Sequence, residues 1–232
     1  MKLPLFGASV VGIFRHDTAL LKLQNRLADP SAKFIKRSVD IVLGIFFLVI
    51  FSPVFLVLGF IIKRDGGPVF FNHERLGKNG RHFACHKFRT MKVDSDTMLK
   101  QHLKRSSKAR FDWESKRKLL NDPRVTKIGQ YLRKTSVDEL PQLVNVIRGE
   151  MSLVGPRPIV RDETKHYGSF LSYYLTMTPG MSGLWQVSGR TDTTYEERVR
   201  LDVWYSKNWT LWVDVVVLIK TCKTLLNRHG AH

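Results

Sequence analysis

Ile41–Ile62 reads IVLGIFFLVIFSPVFLVLGFII, 22 residues without a charge. A helix that crosses a bilayer needs about 20 such residues, so the length fits a span. Two features of the same stretch argue for another shape. Ser52-Pro53 sits at its centre, where proline removes a backbone hydrogen bond and bends a helix. Both flanks are basic, with Lys33, Lys36 and Arg37 before it and Lys63 and Arg64 after it. Basic flanks keep to the cytoplasmic side, which draws both ends to one face. Each half of about ten residues makes roughly 15 Å of helix, half a bilayer. The expectation is a re-entrant helix-break-helix, with Lys36, Arg37, Ser52 and Pro53 as the membrane anchor. A single span with a Pro kink, or a buried core helix, are the other readings these residues allow. A cleavable signal is excluded, since the stretch starts late and no small-residue cleavage site follows it.

The rest of the 232 residues is globular in composition, 43% apolar and 25% charged, which excludes a disordered chain. With 38 Lys and Arg against 20 Asp and Glu, the formal net charge is +18. Such a charge points to a polyanionic partner: an anionic membrane, nucleic acid or a phosphorylated substrate. Two cysteines, Cys85 and Cys222, make no disulfide framework and suit a reducing compartment.

Outward from the apolar stretch the chain divides into 1–35, an N-terminal segment; 36–64, the re-entrant hairpin; and 65–232, a cytosolic catalytic domain with helices at the membrane interface. A short helix is expected over Asp17–Ala28. Gly66-Gly67-Pro68 closes the apolar stretch. A β-hairpin follows, Val69–Arg75 and Arg81–Arg89, about a turn marked by Asn79-Gly80. Residues 92–120 look helical, and Lys100–Lys134 holds twelve Lys or Arg against three acids. Leu140, Leu143, Val144 and Ile147 give the core face of a helix over Asp138–Arg148 that Gly149 stops. A turn at Gly155-Pro-Arg-Pro158 leads to a helical stretch ending near Leu175. A Gly-rich loop spans Pro179–Arg190. Helices over Tyr195–Trp204 and Leu211–Asn227 finish the chain. The second carries Trp212, Val215 and Leu218 beside Lys220 and Lys223, which suits a membrane interface and equally a core helix with a solvated basic end. The fold class is therefore α+β, a mostly helical single catalytic domain with a small β-hairpin, a re-entrant helix pair and amphipathic interfacial helices.

The residues that can carry chemistry lie in Arg133-Lys-Thr-Ser-Val-Asp-Glu-Leu-Pro-Gln142. Asp138 and Glu139 stand side by side, and Ser136 and Glu139 have capping-box spacing. One reading is that both acids complement a helix dipole. The other is a reactive pair in a basic setting, one carboxylate attacking phosphorus and the other holding a divalent cation. Arg133 and Lys134 would keep an aspartate ionised. Lys87 and Arg89 are two apart on a strand, hence on one face, and two such cations suit a diphosphate as well as they protect an edge. Arg157, between two prolines, is a preorganised guanidinium for phosphate or simply a surface turn. His82, Cys85 and His86 lack a fourth ligand, which argues against zinc. Gly77-x-x-Gly80 is a very weak nucleic-acid signal, and none stronger is present.

Taken together the motifs resemble one family: Lys36-Arg37 with Asp40, Ser52-Pro53, Gly66-Gly67-Pro68-Val-Phe70, Lys87-Phe-Arg-Thr-Met91, Asp122-Pro-Arg-Val-Thr126, Ser136-Val-Asp-Glu-Leu-Pro-Gln142, Gly155-Pro-Arg-Pro158 and Pro179-Gly-x-x-Gly-x-Trp-Gln186. They are similar to those of the bacterial monotopic polyprenyl-phosphate phosphoglycosyl transferases. Within that family the chain is most like those that transfer galactose phosphate to undecaprenyl phosphate in exopolysaccharide and O-antigen synthesis. The resemblance runs from about residue 3 to the C-terminus. It implies transfer of a sugar-1-phosphate from a UDP-sugar to undecaprenyl phosphate with release of UMP, at the cytoplasmic face of a bacterial inner membrane. It implies Asp138 as the nucleophile that forms a phosphosugar intermediate, with Asp138 and Glu139 holding Mg²⁺. Arg133 and Arg157 match phosphate or nucleotide contacts, and Lys87, Arg89, Gln186 and Arg190 complete the expected substrate-binding set.

His73, Val137 and Asn121 depart from the common family residues without touching that chemistry. Larger relatives carry an N-terminal membrane bundle and a further domain, so the chain is expected to be a short member or the catalytic piece of a long one. The expected partners are donor, acceptor and membrane lipid, without nucleic acid, and a homo-oligomer stays open. The alternative is a non-enzymatic basic module that binds anionic lipid or nucleic acid.

Overall fold

The computed structural model describes residues 29–116, 119, 122–188 and 194–226. The helix expected over Asp17–Ala28 lies outside the described residues, as does Arg190.

The apolar stretch forms two helices, α1 (Pro30–Ile50) and α2 (Ser52–Lys63), bent by 58°. No single described helix is long and apolar enough to cross a membrane, but the bent pair fits a re-entrant hairpin. Proline explains the break. Pro53 has no N–H for the Val49 carbonyl, and the Ser52 hydroxyl donates to that carbonyl instead, at 2.8 Å. Val42, Phe46, Val49, Leu56, Val57 and Phe60 are all exposed, so the pair presents a large apolar surface outside the core.

The first half of α1 behaves differently. Its N-terminus is capped by Asp29, whose carboxylate accepts from the Ser31 N–H at 3.0 Å. Asp40 is buried and accepts from Ser152 Oγ at 3.0 Å and the Leu153 N–H at 2.9 Å. Lys36 Nζ lies 2.6 Å from Asp214 and donates to the Val154 carbonyl at 3.0 Å. Arg37 donates to the carbonyls of Val146 and Ile147 at 2.5 and 2.6 Å. Lys36 and Arg37 thus serve less as free membrane-flanking charges than as internal ties. A basic residue before an apolar run looks the same in sequence whichever it does.

Strands β1 (Phe70–Leu76) and β2 (His82–Phe88) pair antiparallel from Phe70 opposite Phe88 to Leu76 opposite His82. Asn79 and Gly80 have φ of 56° and 74°, the left-handed turn that Asn-Gly favours. The hairpin lands on α2: the Phe88 ring lies 5.1 Å from that of Phe55 and 5.4 Å from that of Phe70. The basic stretch breaks into α3 (Ser95–Arg105) and α4 (Ser107–Lys116), because Ser106 leaves the helix and its Oγ accepts the Ala109 N–H at 3.1 Å. A further helix, α5 (Lys127–Thr135), follows with Thr126 as its N-cap. Gly129 of α5 presses on the Thr90 backbone so closely that a Cβ would collide with the Thr90 carbonyl.

Helix α6 (Gln142–Arg148) stops at Gly149, φ 83°. The Pro179–Arg190 segment is not the open loop its glycines suggest. Gly180–Ser182 forms β4, buried and parallel to β3 (Ser152–Val154). Gly180 and Gly183 are needed because the Gly155 backbone passes where side chains would stand. Between these strands lie two 3₁₀ turns and α7 (Leu171–Thr176). After them come α8 (Leu184–Ser188), α9 (Tyr195–Asn208) and α10 (Leu211–Leu226).

Leu143, Val146, Met151, Val154, Tyr205, Trp209 and Val217 make the main core, and Tyr167, Tyr173 and Tyr174 a second one. A third, Leu58, Ile62, Phe88 and Leu132, joins α2, the hairpin and α5. Helix α10 answers both readings of its sequence. Val217 is fully buried, while Trp212 (71% exposed), Val215 and Ile219 form an outward apolar stripe. The whole is α+β and mostly helical, with a small antiparallel hairpin.

Candidate active site

The paired carboxylates sit where α5 ends above the third core. Ser136 closes α5 in the left-handed region, φ 57°, and the chain then makes a single 3₁₀ turn, Val137–Glu139. A non-glycine residue there is uncommon and carries a cost of roughly 1–3 kcal/mol. The expected capping box is absent. The Ser136 side chain makes no cap bond, and its carbonyl accepts the Glu139 N–H at 3.2 Å. The sequence spacing was right for a cap, but the serine is the end of the preceding helix. Val137 and Leu140 pack into the core below, which turns Asp138 inward.

Asp138 is 9% exposed. Burial, then the charge of Glu139, pushes its pKa up to about 6, and Lys87 and Arg133 hold it from rising further. Glu139 reaches out and pairs with Lys87, Nζ to Oε1 2.6 Å. Burial works against the Lys87 charge, but Glu139 and then Asp138 outweigh it and its pKa is raised. Arg133 projects from the last turn of α5 and its Nε donates to Thr90 Oγ1 at 2.9 Å. Burial lowers its pKa against the pull of Asp138 and Asp122.

Asp122, Arg124 and Thr90 brace this arrangement and were not singled out as site residues from sequence. Arg124 grips Asp122 with Nε at 2.8 Å and Nη2 at 2.6 Å, and its guanidinium lies 5.0 Å from the Trp113 ring centre. The Thr90 carbonyl accepts the Thr126 N–H at 3.0 Å while its hydroxyl holds Arg133. Their only signal was membership of the Lys87–Met91 and Asp122–Thr126 motifs.

Lys87, Arg133, Asp138 and Glu139 therefore meet. Arg89 does not join them. Strand β2 ends at Phe88, so the face that Lys87 and Arg89 would share is broken. Arg89 donates to the Ile62 carbonyl at 2.9 Å and pairs with Asp65, closing the end of α2. Arg157 lies farther along the hairpin. Its guanidinium stacks 5.1 Å from the Trp185 ring centre, with that of Arg198 at 4.8 Å from the same ring. Between dyad and Arg157 stand His73 and Arg75. Burial lowers the His73 pKa, and the charges of Arg75 and Lys87 lower it further. Arg75 pairs with Glu163 at 3.5 Å and feels Arg157. Beneath, Asp202 is buried, accepts from Tyr167 Oη at 2.7 Å and has its pKa pushed by burial to about 7, with Arg157 pulling the other way. Gln186 is half-buried in α8, beside Trp185.

No group of three or more His, Cys, Asp or Glu that could hold a metal occurs among the described residues. Adjacent carboxylates still fit Mg²⁺, which takes one or two protein oxygens and completes its shell with water and phosphate. A buried carboxylate near neutrality, a second one beside it and a converging set of cations can attack phosphorus and neutralise the charge that develops.

The sequence pattern of the bacterial sugar transferase family matches residues 31–228. The chain is 51% identical over 230 residues to the undecaprenyl-phosphate galactose phosphotransferase of Salmonella typhimurium, covering 99% of this chain and 48% of that one. It is 48% identical over 229 residues to the UDP-galactose-lipid carrier transferase of Erwinia amylovora, again 99% and 48%. It is 47% identical over 204 residues to the exopolysaccharide production protein ExoY of Rhizobium meliloti, covering 88% and 90%. The chain thus spans about half the length of the first two relatives and most of the third.

Proposed function

Because the chain belongs to the bacterial sugar transferase family, we propose that it transfers a sugar-1-phosphate from a UDP-sugar to undecaprenyl phosphate and releases UMP. The observation that carries this reading is Asp138, a buried carboxylate with a pKa near 6 beside the Glu139–Lys87 pair and Arg133. About ten in eleven such groups are ionised one pH unit above the pKa, so Asp138 is both desolvated and reactive at pH 7. Asp138 attacks the sugar-bearing phosphorus. The bond from that phosphorus to the bridging oxygen breaks, and UMP leaves with the electron pair. A phosphate oxygen of the lipid then attacks the same phosphorus, and the aspartyl–phosphorus bond breaks to restore the carboxylate. Mg²⁺ held by Asp138 and Glu139 would supply charge neutralisation at the phosphoryl oxygens. Arg133 and Lys87 orient the phosphates and balance their charge. Arg157 would hold the nucleotide side together with Gln186, and Arg190, outside the described residues, is proposed for the same substrate. Arg89 supports the site through the end of α2.

Galactose is the proposed sugar, supported by the names of the Salmonella and Erwinia relatives. The bent α1–α2 pair supports a seat in the cytoplasmic face of the inner membrane, the remaining domain lying above it. The test is UMP release from purified protein with Mg²⁺, undecaprenyl phosphate and a panel of UDP-sugars, beside Asp138→Asn. Release with UDP-galactose that the variant abolishes is expected. Equal lipid binding by both proteins without release by either would favour the non-enzymatic membrane module.

A further inference from the structure

A second cationic site lies away from the dyad. A cleft of about 220 Å³ opens where the first turns of α1 meet the hairpin turn and the segment after α7. Lys33, Lys36, Arg37 and Lys78 line it, against Asp40. Lys36 is balanced by Asp214. Asp40 is engaged by Ser152 and the Leu153 N–H. Arg37 spends its donors on two carbonyls, which carry no full charge. Lys33 and Lys78 enter no ion pair among the described residues. Two lysines from elements far apart in sequence face one space, where burial, then the charge of Lys33, lowers the Lys78 pKa. Like charges gathered in this way are relieved by an anion between them.

The walls suit a small, multiply charged oxyanion. Thr178 also lines it, and Trp209 forms an apolar side, its own N–H already donated to Asp214 at 3.1 Å. Gly149 leaves the Arg37 guanidinium open to the cleft, since a Cβ there would stand 3.3 Å from Nη2. The space is below the 300–1,000 Å³ of sites that enclose drug-sized ligands, which fits a phosphate group and little more. The site is distinct from the dyad. Lys87 is five residues from His82 along β2, about 17 Å at strand rise, and Lys78 lies beyond, in the turn.

We propose that this cleft binds a phosphate group, which bridges Lys33 of α1 to Lys78 of the hairpin turn and so braces the helix that enters the membrane. The phosphate has two sources, a soluble phosphate or an anionic lipid headgroup. The experiment reads the rate of lysine acetylation by mass spectrometry, on the full chain in nanodiscs. One arm uses phosphatidylcholine discs with inorganic phosphate against chloride at equal ionic strength. The other uses discs containing phosphatidylglycerol without added phosphate. Lys104 and Lys108, exposed on the basic helices, are the internal references. Acetylation of Lys33 and Lys78 is expected to fall at least fivefold while the references change less than twofold. Slowing by inorganic phosphate assigns a soluble ligand. Slowing by phosphatidylglycerol alone assigns a headgroup, and slowing by both a site that accepts either. If neither arm slows Lys33 and Lys78 more than the references, the proposal is overturned.

Discussion

The Lys87 ammonium lies 2.6 Å from the Glu139 carboxylate and its charge also holds down the Asp138 pKa, so it bears on both acids of the dyad. Its removal leaves two adjacent carboxylates without that balance. Lys87→Met is expected to lower turnover on the order of 100-fold, the scale of losing one charge-stabilising donor. The same change raises the Asp138 pKa, so the acid limb of the pH–rate profile moves to higher pH. A loss of turnover with an unmoved limb would place Lys87 on the substrate alone.

Asp138 itself sets a pH dependence of opposite sign for activity and stability. Its folded pKa, about 6, lies above the 3.8 of a free side chain. Between those values the folded state holds the extra proton, so stability falls as pH rises through pH 4–6 while the reactive carboxylate accumulates. Asp138→Asn is expected to be inactive yet more stable at pH 7.5, by about 2–3 kcal/mol, with the gain gone near pH 4. Thermal melts of both proteins across pH 4–8 measure it. An equal gap at every pH would show that burial of charge is not its source.

Ser136 holds the turn that presents the dyad at φ 57°. Ser136→Gly is expected to retain activity and gain up to about 1 kcal/mol, since glycine adopts that region freely. Ser136→Val should lose about 2 kcal/mol and most turnover, because a β-branched residue resists it. Urea melts with UMP release separate the two. Equal stability of the three proteins would mean the turn is not strained.

On the proposed function, Asp202 bears on the substrate through the Arg157 turn, with which it interacts. Asp202→Asn keeps its shape and its bond to Tyr167 but removes the charge behind Arg157. KM for the UDP-sugar is expected to rise several-fold, with kcat within about twofold. A fall in kcat at constant KM would instead place Asp202 in support of the dyad.

Pro53→Ala restores the donor that Val49 lacks and frees the Ser52 hydroxyl from that carbonyl. The bend should open, at a gain in helix continuity of about 3 kcal/mol. With Arg64→Cys as reporter, labelling from outside sealed inverted membrane vesicles should decrease as the end of α2 leaves the cytoplasmic face. Unchanged labelling would mean that packing of α2 on Phe88 holds the bend without proline.

The elements legible in the sequence were those with local causes. Proline placed the break in the apolar stretch, Asn79-Gly80 placed the hairpin turn, and Gly149 the end of α6. The dyad was legible as a pair, and structure added that its aspartate is the buried member. What stayed hidden depends on contacts between distant segments. Nothing local distinguishes Lys36 paired with Asp214 from Lys36 at a membrane, or Arg89 closing α2 from Arg89 beside Lys87. Gly180 and Gly183 read as freedom, whereas each makes room for the backbone at Gly155. Likewise Ser136 and Glu139 have cap spacing, but the helix that would use it starts later, at Gln142.

Lys36, Arg37 and Asp40 bolt α1 to three segments of the domain: α6, β3 and the Asp214 end of α10. A protein held by a loose tether bobs over its bilayer and samples many depths. Here α1, the helix proposed to enter the lipid, is a beam of the same frame that carries Asp138. On the proposed seating, the elevation of the reacting carboxylate above the headgroups is thus a fixed dimension of the molecule, like the throat of a press. An acceptor phosphate must rise to that level, and a thicker or thinner bilayer would detune the reaction without altering a single contact in the site.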